Sequence, residues 1–277
     1  MRKKNNREIT NLLNLAETKI DIISAGTWKG DGGAAFGIMP KTLWEKFYTS
    51  DSENKILFDT NTLLIQTPQK KILIDTGFGN KLSRQQKKIF SISDFKLIRN
   101  LGKMNIKPED IDYVILSHLH FDHAGGIVSL SEDKKKLTFP NATHIIQKKE
   151  WDIAKNPDFI NKRSYHFKKD LALLEKSDNL MLLNGNFKLN NFISLELVGG
   201  HSLGLQIIKI HINAFMACFA SDLFALELHK NLVVTAAADI HRAKTITAKQ
   251  SIINELAKHN GYLIFSHDYQ RKYIQIK

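Results

Sequence analysis

A single cysteine stands among the 277 residues. With one thiol no intramolecular disulfide can form, which suits a reducing cytoplasm. That residue, Cys218, lies in the apolar run Phe215-Met216-Ala217-Cys218-Phe219 and reads as a small core side chain. Long apolar runs are missing too. No stretch approaches the roughly 18 residues that would span a bilayer, so no membrane partner is expected. The start, Met1-Arg2-Lys3-Lys4-Asn5-Asn6-Arg7-Glu8, is basic but lacks the apolar core of a secretory leader. Thr10 to Lys19 is broken by Asn11, Asn14 and Glu17. A soluble, cytoplasmic protein is therefore expected. Neither an internal repeat nor a low-complexity linker is visible. The basic segment 1–18 is set apart as an arm, and residues 19–277 are expected to form one domain.

Acidic residues are outnumbered, 28 against 40 Lys and Arg, for a net charge of +12. Such a balance can mark nucleic-acid binding. Here the basic clusters, such as Lys134–Lys136 and Lys168–Lys169, are scattered and not interleaved with aromatics in one segment. A solvated surface is the expectation, and nucleic acid is not the expected partner. Hydrophobic residues make up 43% of the chain, enough for a substantial core.

One run carries more chemistry than the rest. Ser117-His118-Leu119-His120-Phe121-Asp122-His123-Ala124-Gly125-Gly126 places three histidines and an aspartate within six positions. Imidazole and carboxylate are the usual ligands of zinc and similar metals. The preceding Tyr113-Val114-Ile115-Leu116 reads as a buried strand, and Gly125-Gly126 permits close backbone approach. In an extended segment His118 and His120 point the same way and can grip one ion. Asp122 and His123 lie where the chain begins to turn, and can face a second. The alternative is a polar surface loop with chance histidines.

Three further polar residues each follow a hydrophobic run. His201 lies in Gly199-Gly200-His201-Ser202-Leu203-Gly204, after Ile193–Val198. Asp222 follows Ala214–Ala220, and His267 follows Tyr262-Leu263-Ile264-Phe265-Ser266. Taken alone each is weak; together they repeat one pattern, strand then ligand. Asp222 could instead be a helix N-cap.

This order of motifs resembles the metallo-β-lactamase superfamily. Leu73-Ile74-Asp75-Thr76-Gly77 fits its second short motif. Asp31-Gly32-Gly33-Ala34-Ala35-Phe36-Gly37, Pro40-Lys41 and Leu43-Trp44 resemble the amino-terminal signature of the branch that holds quorum-quenching lactonases and methyl-parathion-hydrolase-like enzymes. The resemblance implies a mixed α and β fold, a four-layer αββα sandwich. It implies two divalent ions, zinc foremost, with manganese or iron as alternatives. His118, His120 and His201 would hold the first, and Asp122, His123 and His267 the second. Asp222 would bridge both, and Asp75 would orient the ligand loop. Asp122 and Asp222 would carry the catalytic role, around a hydroxide shared by the ions and available near neutral pH. The substrate would be a small molecule, an ester or a lactone, with acyl-homoserine lactones included. Phosphotriester or phosphodiester hydrolysis is the alternative, and a non-catalytic metal-binding protein the third reading. Phe36 is placed at the pocket wall and His241 within reach of the site. The amino-terminal region lies near the pocket or an oligomer contact in relatives, which leaves a homodimer open.

Two positions depart from the relatives. Ala225 stands where some lactonases carry a tyrosine, and Leu205 where many carry a further histidine. An aspartate at 222 also sets the chain apart from true β-lactamases, which typically have Cys or Ser there.

The remaining pattern supplies elements. Strands are expected at 19–24, 56–66, 71–75, 143–147, 193–198, 205–212, 214–220 and 261–266. Helices are expected at 41–48, 94–104, 148–155, 165–176 and 243–260, the last with Thr247 as a cap. In 165–176 the stripe Phe167, Leu171 and Leu174 is expected to be core.

Overall fold

The computed structural model describes residues 8–15, 17–160 and 162–277. By contact the chain divides into two compact units, with boundaries inside two long strands. One unit holds Thr60–Asn184 and the described residues up to Gly26; the other holds Thr27–Asp59 and Gly185–Lys277.

The first sheet contains β1 (Ile9–Leu15), β2 (Thr18–Asp31), β3 (Lys55–Gln66), β4 (Lys71–Ile74) and β5 (Tyr113–Ile115). A hairpin of β6 (Val128–Ser131) and β7 (Lys134–Leu137) stands apart from it. β8 (Thr143–Gln147) and β9 (Leu180–Leu183) complete the sheet, in the order β1-β2-β3-β4-β5-β8-β9. β4, β5 and β8 run parallel, and their apolar residues are buried throughout, as parallel strands covered on both faces require. The register aligns Ile74, Ile115 and Ile145. The segments that leave these three strands therefore start at one end of the sheet.

The second sheet takes β10 (Phe187–Lys188), β11 (Ile193–Leu197), β12 (Gln206–Ile212), β13 (Phe215–Phe219), β14 (Tyr262–Ile264) and β15 (Tyr273–Gln275). β13 and β14 are parallel, with Phe219 opposite Ile264. Asp222 and His267 each lie three residues beyond that matched pair. β11 and β13 are both antiparallel to β12, so the His201 loop leaves in the same direction. The helix Arg242–Lys258 buries Ile252 and Leu256 against Leu205, Met216, Cys218 and Leu263. Cys218 is fully buried, as its apolar setting predicts.

Several expectations change. Of the expected arm, residues 1–7 lie outside the described residues, while Ile9–Leu15 pairs antiparallel with β2. The expected helix 165–176 is reduced to Phe167–Asp170 and a 3-10 turn at Leu174–Lys176, because the backbone leaves the helix at Leu171. Leu171 and Leu174 are nevertheless buried, and Phe167 packs against their cluster. Thr247 is no cap: its hydroxyl donates back to the Ala243 carbonyl at 3.1 Å, inside a helix that already begins at Arg242. Among the described residues no helix is long and apolar enough to cross a membrane.

Candidate metal centre

In the unit that carries β4, β5 and β8, Asp75 follows β4 in a left-handed conformation, φ +59°. Its carboxylate accepts three hydrogen bonds from the loop that follows β5. Oδ1 accepts the Ser117 N–H at 2.8 Å; Oδ2 accepts the Ser117 hydroxyl at 2.7 Å and His123 Nδ1 at 2.8 Å. One buried carboxylate thus fixes both ends of the run from 117 to 123. The middle of that run is held by Glu150, just beyond β8, whose Oε1 accepts Leu119 N–H at 3.0 Å and the Tyr165 hydroxyl at 2.8 Å. The Tyr165 ring lies edge-on to His120, 4.9 Å between centroids.

The loop presents its donors together. His118 and His120 bring ligand atoms within 4.8 Å of each other, as do His118 and His123, and Asp122 and His123. Phe121–Ala124 forms a single helical turn, so the chain turns where the spacing predicts. Thr76 then receives the loop: its N–H and hydroxyl both donate to the His123 carbonyl at 2.8 Å. A Cβ on Gly126 would lie 2.2 Å from the Thr76 carbonyl oxygen, so only glycine fits there.

The other unit presents His201, Asp222 and His267. Gly200, at φ +102°, turns the chain after β11 and leaves no room for a Cβ beside Thr245. His201 Nδ1 donates to Asp239 Oδ1 at 2.8 Å. His267 Nδ1 donates to the Asp59 carbonyl at 2.9 Å, and its ring is walled edge-on by Trp28 and Phe58. Asp222 sits in the turn Ser221–Phe224 rather than capping a long helix. Its two oxygens face different imidazoles: Oδ2 lies 3.5 Å from His201 Nε2, and Oδ1 3.1 Å from His267 Nε2. Ser266 Oγ donates to Oδ1 at 2.8 Å.

The donor chemistry fits a divalent metal. His123, His201 and His267 each donate through Nδ1 to an oxygen. His118 follows suit: the Ser117 hydroxyl spends its proton on Asp75, so at 3.2 Å it accepts from His118 Nδ1. Each of these rings is held in the tautomer whose lone pair sits on Nε2, the form a ligating imidazole needs.

Asp239 was not evident from sequence spacing. Neither was Lys249, which is buried and donates to the carbonyls of Asn231, Leu232 and Val234, fastening the segment that leads to Asp239. Burial lowers this lysine to about 7. The residues expected at a pocket are placed as follows. Phe36 is 0% exposed and packs among Trp44, Tyr48 and His229. His241 is exposed, and its backbone N–H, not its ring, meets the Gly200 loop at 2.9 Å. Ala225 is buried and offers its carbonyl to the His267 N–H at 2.9 Å.

Residues 56–267 match the family model of the Metallo-beta-lactamase superfamily. The chain belongs to that superfamily. The structure of a probable metal-dependent hydrolase from Staphylococcus aureus is 32% identical, with a TM-score of 0.89 over 95% of this chain and 94% of that one. The fold is accordingly the αββα sandwich of the superfamily. AidC, a dizinc quorum-quenching lactonase, is 22% identical with a TM-score of 0.76, over 98% of this chain and 94% of its own, a likeness of fold. Among curated relatives, the N-acyl homoserine lactonase of Bacillus cereus is 28% identical over 158 residues, 53% of this chain. The AttM lactonase of Azorhizobium caulinodans is 42% identical over 63 residues, 23% of this chain and 20% of its own. The chain spans 56% of the length of the Bacillus cereus relative, about half.

Proposed function

We propose that the chain is a metal-dependent hydrolase that uses two divalent ions, zinc foremost, to open a lactone or cleave an ester, N-acyl homoserine lactones included. The observation that carries this reading is Asp222, whose two oxygens face two different histidines at 3.5 and 3.1 Å. A single carboxylate so placed suits a bridge between two ions. The superfamily's ligand order assigns His118, His120 and His201 to one ion, and Asp122, His123 and His267 to the other, with Asp222 on both. Because that ligand order runs from residue 118 to residue 267, residues 19–277 are taken to work as one catalytic domain. The lactonases among the relatives support the choice of a lactone.

When bound, the ions would supply Lewis acidity, bringing a coordinated water toward a pKa of about 7 and offsetting charge on the cleaved group. The chain's own residues prepare for this. Asp75 and Asp239 accept the Nδ1 protons of His123 and His201 and so hold the Nε2 lone pairs outward. The Asp59 carbonyl does the same for His267, and the Trp28 and Phe58 rings keep water from that side of its imidazole. No serine or cysteine nucleophile is needed.

Ala225 offers no hydroxyl where some lactonases have a tyrosine, so the substrate test spans chemistries. Protein purified without chelator is assayed for metal content and for turnover of an N-acyl homoserine lactone, an aryl ester and a phosphotriester. Two ions per chain, lactone or ester turnover, and its loss in Asp222→Ala are expected. Preferred turnover of the phosphotriester would move the reading to the phosphoesterases. No metal uptake, even with zinc or manganese supplied, would overturn the hydrolase reading.

A further inference from the structure

The helical turn Phe121–Ala124, which presents Asp122 and His123, is gripped from outside by residues that are not metal donors to it. Its first N–H, on Phe121, donates to the Ser164 carbonyl at 2.9 Å. The Phe121 ring stacks on His166, 5.0 Å between centroids and 25° between planes. At the far end, Lys81 Nζ donates to the Gly125 carbonyl at 2.5 Å and also to the Val128 carbonyl. Lys81 and Asp170 form an ion pair at 3.1 Å, and both side chains are more than nine-tenths buried. The other Asp170 oxygen lies 3.7 Å from His166 Nδ1. Asp170 therefore pairs with the lysine at one end of the turn and lies near the imidazole at the other, beyond hydrogen-bond distance.

The segment 75–81 brackets the same loop twice. Asp75 holds its entrance through Ser117 and His123, and Lys81 holds its exit. Taking a lysine out of water costs free energy that a surface ammonium avoids. The cation is nonetheless buried here, aimed at two loop carbonyls and matched by a buried carboxylate. Such expense at this place needs a reason.

We propose that Lys81 and Asp170 are positioning residues that set Asp122 and His123 for the ion assigned to them, while His118, held by the Ser117 hydroxyl, and His120, flanked by Tyr165, are set without them. The inference rests on the two-ion reading above. Loss of the clamp would then weaken one ion and spare the other. Partners that orient metal ligands typically contribute about 10–100-fold in affinity.

The test is metal binding, not turnover. Lys81→Met alone would strand Asp170 as a buried unpaired charge and could unfold the chain. The double replacement Lys81→Met with Asp170→Leu removes both charges at similar volume, which buried ion pairs often tolerate. Zinc affinity is read by chelator competition and stoichiometry by calorimetry, with cobalt absorption reporting ligand geometry. The expected result is a first ion at wild-type affinity and a second weakened at least tenfold, with an altered cobalt spectrum at that site alone. Asp170→Asn keeps the buried shape and an acceptor for Lys81, and serves if the double variant does not fold; a several-fold weakening of the same ion is expected. Two ions bound with wild-type affinity, or both weakened equally, would overturn the proposal while leaving the hydrolase reading intact. A wild-type chain that binds no zinc at all defeats that reading, and this inference with it.

Discussion

Replacing Asp75 by asparagine tests how the ligand loop is held. The change suits the backbone, since φ at this position is +59° and asparagine tolerates that region well. The side chain keeps its shape and loses one acceptor. Two obligatory donors meet different oxygens of Asp75: Ser117 N–H on Oδ1 and His123 Nδ1–H on Oδ2. Asparagine has one oxygen, so in either orientation its NH2 group faces a donor. If it faces Ser117, the loop loses its entrance anchor. If it faces His123, the ring must move or take the tautomer with its proton on Nε2, the nitrogen a metal needs. A hydrogen bond to a charged group contributes roughly 1.5–3 kcal/mol. Losing one such bond should lower apo-protein stability by about 2 kcal/mol, or appear as a 10–100-fold loss of metal affinity. Urea unfolding of the apo-protein and chelator competition with zinc measure the two. Stability and zinc affinity both within about threefold of wild type would refute the argument.

Other perturbations have equally definite outcomes. In Gly126→Ala the new Cβ would lie 2.2 Å from the Thr76 carbonyl oxygen, in the segment that holds His123; urea unfolding should show a loss of about 1–3 kcal/mol, and wild-type stability would count against the packing. Burial lowers His144 to about 4 from its ordinary 6.5, so the unfolded chain binds a proton that the folded chain refuses. The stability at stake is fully present above pH 6.5 and is lost as pH falls toward 4, by up to about 3 kcal/mol; His144→Gln should flatten that slope, and an unchanged slope would exclude this histidine as its source. Zinc at a hundredfold excess over its dissociation constant should stabilise the chain by about 2.7 kcal/mol, seen as a higher Tm that chelator reverses. A Tm indifferent to zinc would mean that the donors do not bind it in the folded state.

The candidate ligands stood out in the sequence because each follows a buried apolar strand, where a polar residue is conspicuous. What holds the ligands was legible only in part. Asp75 belongs to a motif, but Asp239 lies in Ala236-Ala237-Ala238-Asp239-Ile240, thirty-eight residues from the histidine it orients. The partner of His267 Nδ1 is a main-chain carbonyl, which no side-chain pattern can reveal. Phe36 shows the converse: its signature is readable, but a half-exposed aromatic and one fully buried look alike in sequence. The hairpin of β6 and β7 was missed because Glu132-Asp133 makes its turn with both φ values positive, a role more often given to Asn-Gly.

Strand register accounts for how separate motifs come to act together within each unit. Phe219 lies opposite Ile264 in a parallel pair, and Asp222 and His267 each follow by three residues. Equal spacing after a matched pair delivers equal reach, so the carboxylate and the imidazole meet at 3.1 Å without any sequence nearness. A slip of one residue between β13 and β14 would exchange the faces of every following side chain. It would separate His267 from Asp222 and from the Asp59 carbonyl at once. The buried residues on both strands therefore serve the site as well as the core: Phe219 and Ile264 fix the register, and the register places the donors. The same logic holds for Asp75 and Ser117, one and two residues beyond the aligned Ile74 and Ile115. A core substitution that shifts either parallel pair should thus appear first as lost metal affinity, before the chain loses its fold.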